Sequence, residues 1–359
     1  MATAIRLEVL PARQGDCLLV ECLRDGAEPW RMLLDGGPPD TWPLLEARLA
    51  PDPRLDVAVI THIDSDHIGG MIPYLQSPLA AHAADVWFNG RPHLPGLGTT
   101  RSVAQGESVI AALAGPAARA GTGPAARWNA AFGGGAIDTG EEGGYLEHVV
   151  PDGPRITVLS PTTKRLTALA TLWAAALDDA RRGPADDLGV DTPPPLSDLE
   201  PLADAATGKD GSVPNGASIA LLVEHRGASL VLGADAYGTV LGAGLKGVAA
   251  ARGLDSLPVD AFKLPHHGSK GNVLRALVAA APARHYVVSS NGDLFHHPDD
   301  QAVARVVLHA PPGPTLWFNY DNARTRRWAD SDLRARYGYD VRYPTTPGDG
   351  IVLELEERA

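Results

Sequence analysis

Cysteine is nearly absent from this chain: two residues, Cys17 and Cys22, stand in 359. That is too few for a disulfide framework or a cysteine-based zinc site. Spaced five apart in "DCLLVEC", on a strand they face opposite sides, so they cannot bridge each other. Any metal must therefore be held by histidine and carboxylate. Long apolar runs are also lacking. Those present, such as Ile219 to Val223, are short and fall far below the roughly 20 residues that cross a bilayer. The start, "MATAIRLEVLPARQGD", has neither the basic opening nor the apolar block of a signal peptide, which places the protein in the cytoplasm, away from membranes. Positive charge is scarce too. With 31 basic against 43 acidic residues the formal charge is −12, which excludes a strong nonspecific nucleic-acid surface, because phosphate neutralisation by Lys and Arg supplies most of that affinity. The late arginines, Arg324, Arg326, Arg327, Arg334, Arg336 and Arg342, alternate with Asp321, Asp330, Asp332 and Asp340 and read as a mixed solvated face. The glycine-rich "GTGPAARWNAAFGGGAIDTG" lacks a GK[ST] ending, so it is not a phosphate loop.

What is present is a core-forming pattern, with 44% hydrophobic residues. The segments "AIRLEVL", "CLLVECL" and "RMLLDGG" read as strands separated by turn signals. A helix around "TWPLLEARLA" and a buried strand "LDVAVITH" follow. The style returns in "ASIALLVEH", "SLVLGADAY", "VDAFKLPHHGS", a helix from about 273 to 281, "HYVVSSNG" and a helix after Pro298. Strands in "TLWFNY" and "IVLELE" complete an edge. Meander strands combined with strand–helix–strand order predict mixed sheets in a sandwich covered by helices. One domain over residues 1–359 is expected, with an insertion at 94–214. Within it, the spacing of Leu166, Leu169, Leu172, Trp173 and Leu177 predicts a helix over 164–182. The Pro- and Asp-rich stretch 184–214, with six acidic and no basic residues from Asp186 to Asp204, reads as an extended loop or lid.

The chemistry concentrates in "VAVITHIDSDHIGGM", residues 57–71. An apolar strand ends in two histidines and two aspartates, then two glycines. A loop fixed by a strand end gives the rigid placement that a metal site needs. His62 and Asp64 share one side of an extended segment, while Asp66 and His67 follow in the turn, so the two pairs can face different points. Gly69 and Gly70 remove side chains where a helix must start close by. Asp235 ends "LVLGAD", and His266 and His267 end "DAFKLPHHGS". Each alone reads as a helix cap or a turn; three strand ends bearing such groups together point to a dinuclear site.

"THIDSDHIGG" resembles the metal-binding signature of the metallo-β-lactamase superfamily, His-x-His-x-Asp-His, in the variant with Asp for the second His. "RQGDCLLVE", "MLLDGG", "NGASIALLVE", "LVLGADA", "KLPHHGSKGN" and "NGDLFHHPD" are similar, in order, to the soluble nuclease-like domain of ComEC-type DNA-uptake proteins, over about residues 3–75 and 215–310. The resemblance implies an α/β (α+β) fold, an αββα four-layer sandwich of two mixed β-sheets flanked by helices, with one or two divalent metal ions at the sheet edge. It implies His62 and Asp64 at the first ion, Asp66 and His67 at the second, Asp235 as bridge, and one of His266 and His267 completing the second site. Asp35 would orient ligands from behind. The carboxylate of Asp64 shifts preference from Zn toward Mn or Mg. The superfamily's third-motif His is missing; Asn215 occupies that neighbourhood, and His93, His148 or His297 could assist the first ion. Ser269 and Lys270 could contact a substrate phosphate, with Asn272 expected as a helix cap.

Two cations clamping the entering and leaving oxygens suit phosphodiester hydrolysis, with metal-bound hydroxide as nucleophile and Asp66 or Asp235 accepting its proton. A phosphodiester or nucleotide-type substrate is therefore expected. Hydrolysis of a lactone, amide or thioester, and a non-catalytic role with a protein partner, are the alternatives, since a fold does not choose its chemistry.

Overall fold

A computed structural model describes residues 2–96, 104–113, 127–175, 193–346 and 348–358. Two mixed sheets face each other. The first has six strands in the order β14-β1-β2-β3-β4-β5, formed by β1 (Thr3–Val9), β2 (Leu18–Arg24), β3 (Ala27–Leu34), β4 (Val57–Val59), β5 (Val86–Trp87) and β14 (Ile351–Glu356). The second has eight, in the order β13-β12-β11-β10-β9-β8-β7-β6. Its members are β6 (Leu146–Val149), β7 (Arg155–Ser160), β8 (Ala220–His225), β9 (Ala228–Leu232), β10 (Val259–Lys263), β11 (Ala283–Val288), β12 (Thr315–Phe318) and β13 (Asp340–Arg342).

Sequence pattern explains which strand sits where. Edge strand β14 alternates buried and exposed residues along IVLELE, as one-sided burial demands. The parallel strands β9 and β10 are buried at every position because helices cover their outer side. Three apolar layers result. Ile5, Leu7, Val20, Met32, Val158, Leu221, Leu230 and Val287 meet between the sheets. Leu19, Leu33 and Ala58 pack outward against the helices Trp42–Leu49, Met71–Gln76 and Thr163–Ala175. On the other side Leu222, Val231, Phe262 and Tyr286 meet the helices Gly238–Ala251 and Asp300–His309. The order is thus helix, sheet, sheet, helix. Cys17 joins the outer layer and Cys22 the layer between the sheets, so the two thiols do face opposite ways.

Some elements depart from expectation. "IVLELE" is an edge, but "TLWFNY" is not: β13 lies outside β12 and takes the edge of the larger sheet. The 94–214 stretch supplies β6 and β7, which hydrogen-bond into that same sheet through β8. Its long helix begins at Thr163 and is described to Ala175; the expected continuation to 182 lies outside the described residues, as do 184–192 of the expected loop. The remainder of that loop is not wholly extended. It folds into short helices at Glu200–Asp204, with proline in the first turn, and Val213–Gly216, where the Ser212 side chain accepts from Asn215 N–H. Among the described residues no helix is long and apolar enough to cross a membrane.

Parallel pairing of β3 with β4 and of β10 with both β9 and β11 brings the carboxyl ends of those strands to one edge of the sandwich. A cross-sheet hydrogen bond from Ile219 N–H to the Thr61 carbonyl, 3.0 Å, ties the two ends together. There the backbones approach very closely. A Cβ on Gly70 would stand 2.1 Å from the Gly36 carbonyl oxygen, so only glycine lets the helix Met71–Gln76 start against the turn after β3.

Candidate metal centre

Asp35 follows β3 in a left-handed conformation (φ 59°), a backbone region that costs energy outside glycine and persists where surroundings enforce it. Its buried carboxylate accepts from Thr61 N–H (2.8 Å) and Thr61 Oγ1 (2.7 Å), which fixes the end of the β4 segment. The same Oδ2 meets His67 Nδ1 at 2.8 Å. That bond turns His67 Nε2 toward the site. Thr61 Oγ1 in turn meets His62 Nδ1 at 2.9 Å, leaving His62 Nε2 forward. Asp64 is extended (φ −73°, ψ 143°) and begins the short helix Ser65–Ile68, which presents Asp66 and His67.

Asp235, almost wholly buried after β9, is where these groups converge. Its Oδ2 lies 4.0 Å from His62 Nε2 and 3.7 Å from His266 Nε2, and Asp64 Oδ2 is 3.6 Å from His62 Nε2. The other oxygen, Oδ1, lies 3.3 Å from His67 Nε2 and 3.6 Å from His267 Nε2. Asp66 Oδ2 completes that side, 4.0 Å from His67 Nε2 and 3.7 Å from His267 Nε2. His266 and His267 are both left-handed (φ 49° and 52°), which sends two neighbouring rings to different oxygens of one carboxylate. Asp235 is no helix cap, since Tyr237 stands at the start of Gly238–Ala251.

The residues fit a divalent ion. His62 Nε2 and Asp235 Oδ1 are buried with no hydrogen-bond partner, which natural proteins rarely tolerate without a ligand. Nε2 atoms of His67 and His267 sit 3.3 Å apart, close to the edge of about 3.4 Å of a coordination tetrahedron with ligands at about 2.1 Å. Ligand atoms of His62, His67 and Asp235 lie within 4.8 Å of one another, and so do those of Asp66, His67 and His267. Nitrogen and oxygen donors without sulfur suit Zn, Mn or Mg.

Charge in the cluster follows from the same geometry. Burial alone would depress His67, but Asp235, Asp66 and Asp35 hold its imidazolium form well above the ordinary range. For His266 burial likewise opposes, and Asp235 and Asp210 raise it to about 9. Asp235 is held well below the carboxylate range: burial opposes, yet His67, His267 and His266 outweigh it. His297, whose ring centroid is 5.2 Å from that of His266, is pushed well down by burial and then by His266 and His267. A cation entering must displace protons from His67 and His266. Apparent affinity for a divalent ion is therefore expected to climb as pH rises from 6.5 to 9, by about tenfold per unit for each proton displaced. The metal-free protein runs the other way. A histidine raised in the folded state contributes stability below its unfolded value of 6.5 and loses it as pH passes 9. Isothermal titrations and melting curves across that window check both slopes, and a flat affinity profile would contradict the proton displacement.

Behind the cluster stands a second layer that sequence reasoning largely missed. Asp16, fully buried, lies 3.4 Å from His267 Nδ1, accepts from Ser289 Oγ and pairs with buried Lys263. Burial opposes ionisation, but Lys263 and His267 keep its carboxyl below the usual range. Asp210, from the acidic segment, lies 3.1 Å from His266 Nδ1. Partial burial opposes, yet hydrogen bonds from His266, Asn215, Ser212 N–H and Asn272 hold it at about 2. Asn215 sits beside His266, its Nδ2 3.3 Å from Nδ1 and donating to Asp210 at 2.9 Å. Asn272 is not the expected helix cap; that place is taken by Leu274, and Asn272 Nδ2 donates to Asp210 and to the Ala236 carbonyl. An amide able to serve four groups inside the fold is held there rather than at a solvated helix end.

Other candidates stay apart. His93 packs edge-on against Trp128 at 4.6 Å, and His148 against Trp87 at 5.9 Å, so neither assists the first ion. Apolar walls and burial push both below the ordinary histidine range. Ser269 Oγ accepts from Gly271 N–H within its own loop, and Lys270 Nζ pairs at 3.4 Å with Asp299, at the start of the helix Asp300–His309. Several late arginines are ion-paired: Arg326 with Asp321 and Arg334 with Asp340, both among the interleaved aspartates, and Arg327 with Asp300 in the preceding helix.

A family model described as the metallo-beta-lactamase superfamily matches residues 10–293 of the chain. Among solved structures the chain is similar to a mutant of CmlA beta-hydroxylase, at 14% identity and a TM-score of 0.39 over 99% of this chain and 55% of that one. It thus spans about half the length of that protein. It is also similar to the metallo-beta-lactamase fold protein YhfI from Bacillus subtilis, at 9% identity and a TM-score of 0.37 over 98% of this chain and 99% of that one. No curated protein matches by sequence.

Proposed function

This chain belongs to the metallo-beta-lactamase superfamily, and on that basis we propose that it is a metal-dependent phosphodiesterase acting on a nucleotide or a short single strand. Membership implies metal-dependent hydrolysis; the phosphodiester bond is our reading. The observation that carries it is the division of one buried carboxylate between two ligand sets. Asp235 Oδ2 faces His62 and His266, with Asp64 beside His62, and Asp235 Oδ1 faces His67 and His267, with Asp66 beside both. Two divalent cations held by these two sets would supply charge neutralisation on both oxygens of an in-line displacement and a lowered pKa for attacking water. The protein's own groups do the rest. Asp35 and Thr61 engage Nδ1 of His67 and His62 and so leave each Nε2 directed into the site. Asp64 and Asp66 have the more exposed side chains, 38% and 18% against 4% for Asp235. They line the open side, where Asp66 can take the proton released on attack. Sheet edges and buried strands keep water out behind Asp235.

The formal charge of −12 favours a small or short anionic substrate over a long polymer bound along a surface. The "HHGS" turn and the Asp in place of the signature's second histidine support placement near the ComEC-type nuclease-like subgroup, and Mn as the working ion. The test is a panel of a bis-aryl phosphodiester, short DNA and RNA strands, cyclic nucleotides and a lactone, assayed with Mn, Zn and Mg. Phosphodiester turnover that disappears with chelator and returns with Mn is expected. Turnover of the lactone alone, or none from metal-loaded protein, would rule the reading out.

A further inference from the structure

His266 faces Asp235 through Nε2 only because something holds its other nitrogen. On that side stand Asp210 Oδ2 at 3.1 Å, Asn272 Oδ1 at 3.2 Å and Asn215 Nδ2 at 3.3 Å. Asp210 is the centre of this group. Its Oδ2 accepts from Asn215 Nδ2 (2.9 Å) and Asn272 Nδ2 (3.0 Å), and its Oδ1 from Ser212 N–H (2.8 Å). Two acceptors, Asp210 Oδ2 and Asn272 Oδ1, face the imidazole Nδ1, so Nδ1–H is the donor on that side and Nε2 is the nitrogen directed at Asp235.

The segment that carries Asp210 is tied down on both flanks. Upstream, Arg305, almost fully buried, donates to the carbonyls of Ala203 (3.1 Å) and Ala205 (2.9 Å) and to Thr207 Oγ1 (3.1 Å). The same guanidinium donates to the carbonyls of Lys270 (2.8 Å) and Val273 (3.0 Å), just beyond the histidine pair. Downstream, Tyr237 Oη donates to the Ser212 carbonyl at 2.7 Å. Segment and histidine turn are thereby locked to one another. Residues 203–212 form a wall of the site.

We infer that Asp210 is a positioning residue: delivered by this pinned segment, it fixes the tautomer and direction of His266 and so supplies an imidazole ligand where the signature's third histidine is absent. Asn215, which stands in that neighbourhood, serves by holding Asp210. The inference rests on the two-centre reading above, with His266 on the Oδ2 side.

The test is Mn(II) binding to the full chain, followed by titration and by metal content after dialysis. The wild type is expected to hold two ions. Asp210→Ala should bind one ion as the wild type does and the other about 10–100-fold more weakly, the usual effect of losing a group that orients a ligand. Asn215→Ala should weaken that same ion by less. Selective loss of one ion is what general disruption of the segment cannot produce. Asp210→Asn, which keeps the shape, decides the matter if the alanine variant fails to fold, with an intermediate loss at one ion expected. Two ions held at wild-type affinity in the Asp210 variants, or both weakened equally, would overturn the inference and leave the proposed function standing. A wild type that takes up no Mn, Zn or Mg would overturn both.

Discussion

Asp235→Ala is expected to lower metal-dependent phosphodiester turnover on the order of a thousandfold or more, a larger effect than loss of a single transition-state donor. Both ligand sets meet at this carboxylate, so its removal weakens both centres at once. It also removes the anion that His67, His267 and His266 face and that would offset the charge of an entering cation. Asp235→Asn should fare little better, because a neutral amide presents one oxygen instead of two. The check is a rate comparison at saturating Mn together with metal content. A variant that keeps a tenth of the wild-type rate would show that Asp235 does not join the two centres.

The second large effect concerns folding. Asp16 and Lys263 are both fully buried and paired, with Ser289 Oγ and His267 Nδ1 facing the remaining carboxylate oxygen. Asp16→Ala leaves an ammonium in an apolar layer without a partner. The expected cost is about 3–5 kcal/mol, as for other buried pairs broken on one side. Lys263→Met alone should cost a comparable amount, whereas Asp16→Leu combined with Lys263→Met should recover most of the loss, since well-packed apolar replacements of buried pairs are often neutral. Urea denaturation of the metal-free protein measures all three. A single-variant cost below about 1 kcal/mol would mean that water reaches the pair. Because Asp16 also faces His267, the doubly substituted protein is expected to be stable yet weaker in metal binding.

These two aspartates illustrate what a sequence can and cannot disclose. The cluster from His62 to His67 is legible because its order is local: a strand of apolar residues, then donors at spacings that the backbone alone directs to a common side. Asp235 and the histidine pair were readable as strand ends, and the sandwich from two strand-rich halves with helices between them. Asp16 looks like an ordinary turn residue in "RQGDC"; its importance comes from Lys263 and Ser289, which lie 247 and 273 positions away. Asp210 was hidden by its setting. An acidic, proline-rich stretch reads as solvated, and nothing local reveals that Arg305 and Tyr237 pin it or that His266 awaits it. Which of two adjacent histidines faces the centre is likewise undecidable from spacing. Left-handed backbone at both turns each ring toward its own oxygen of Asp235, a conformation set by the surrounding fold. Strand β7 was overlooked for a related reason. Its short segment RITVLS, half polar, lies within a stretch whose overall composition suggests an insertion, although it is paired on both sides in the larger sheet.

Anomalous diffraction from crystals grown with Mn bears most directly on the shared carboxylate. Two peaks about 3.5–4 Å apart are expected, one against Asp235 Oδ2 with His62 and His266, the other against Oδ1 with His67 and His267. Manganese bound elsewhere on the molecule, with no peak touching either oxygen of Asp235, would contradict the assignment of this edge of the sandwich as a hydrolytic centre.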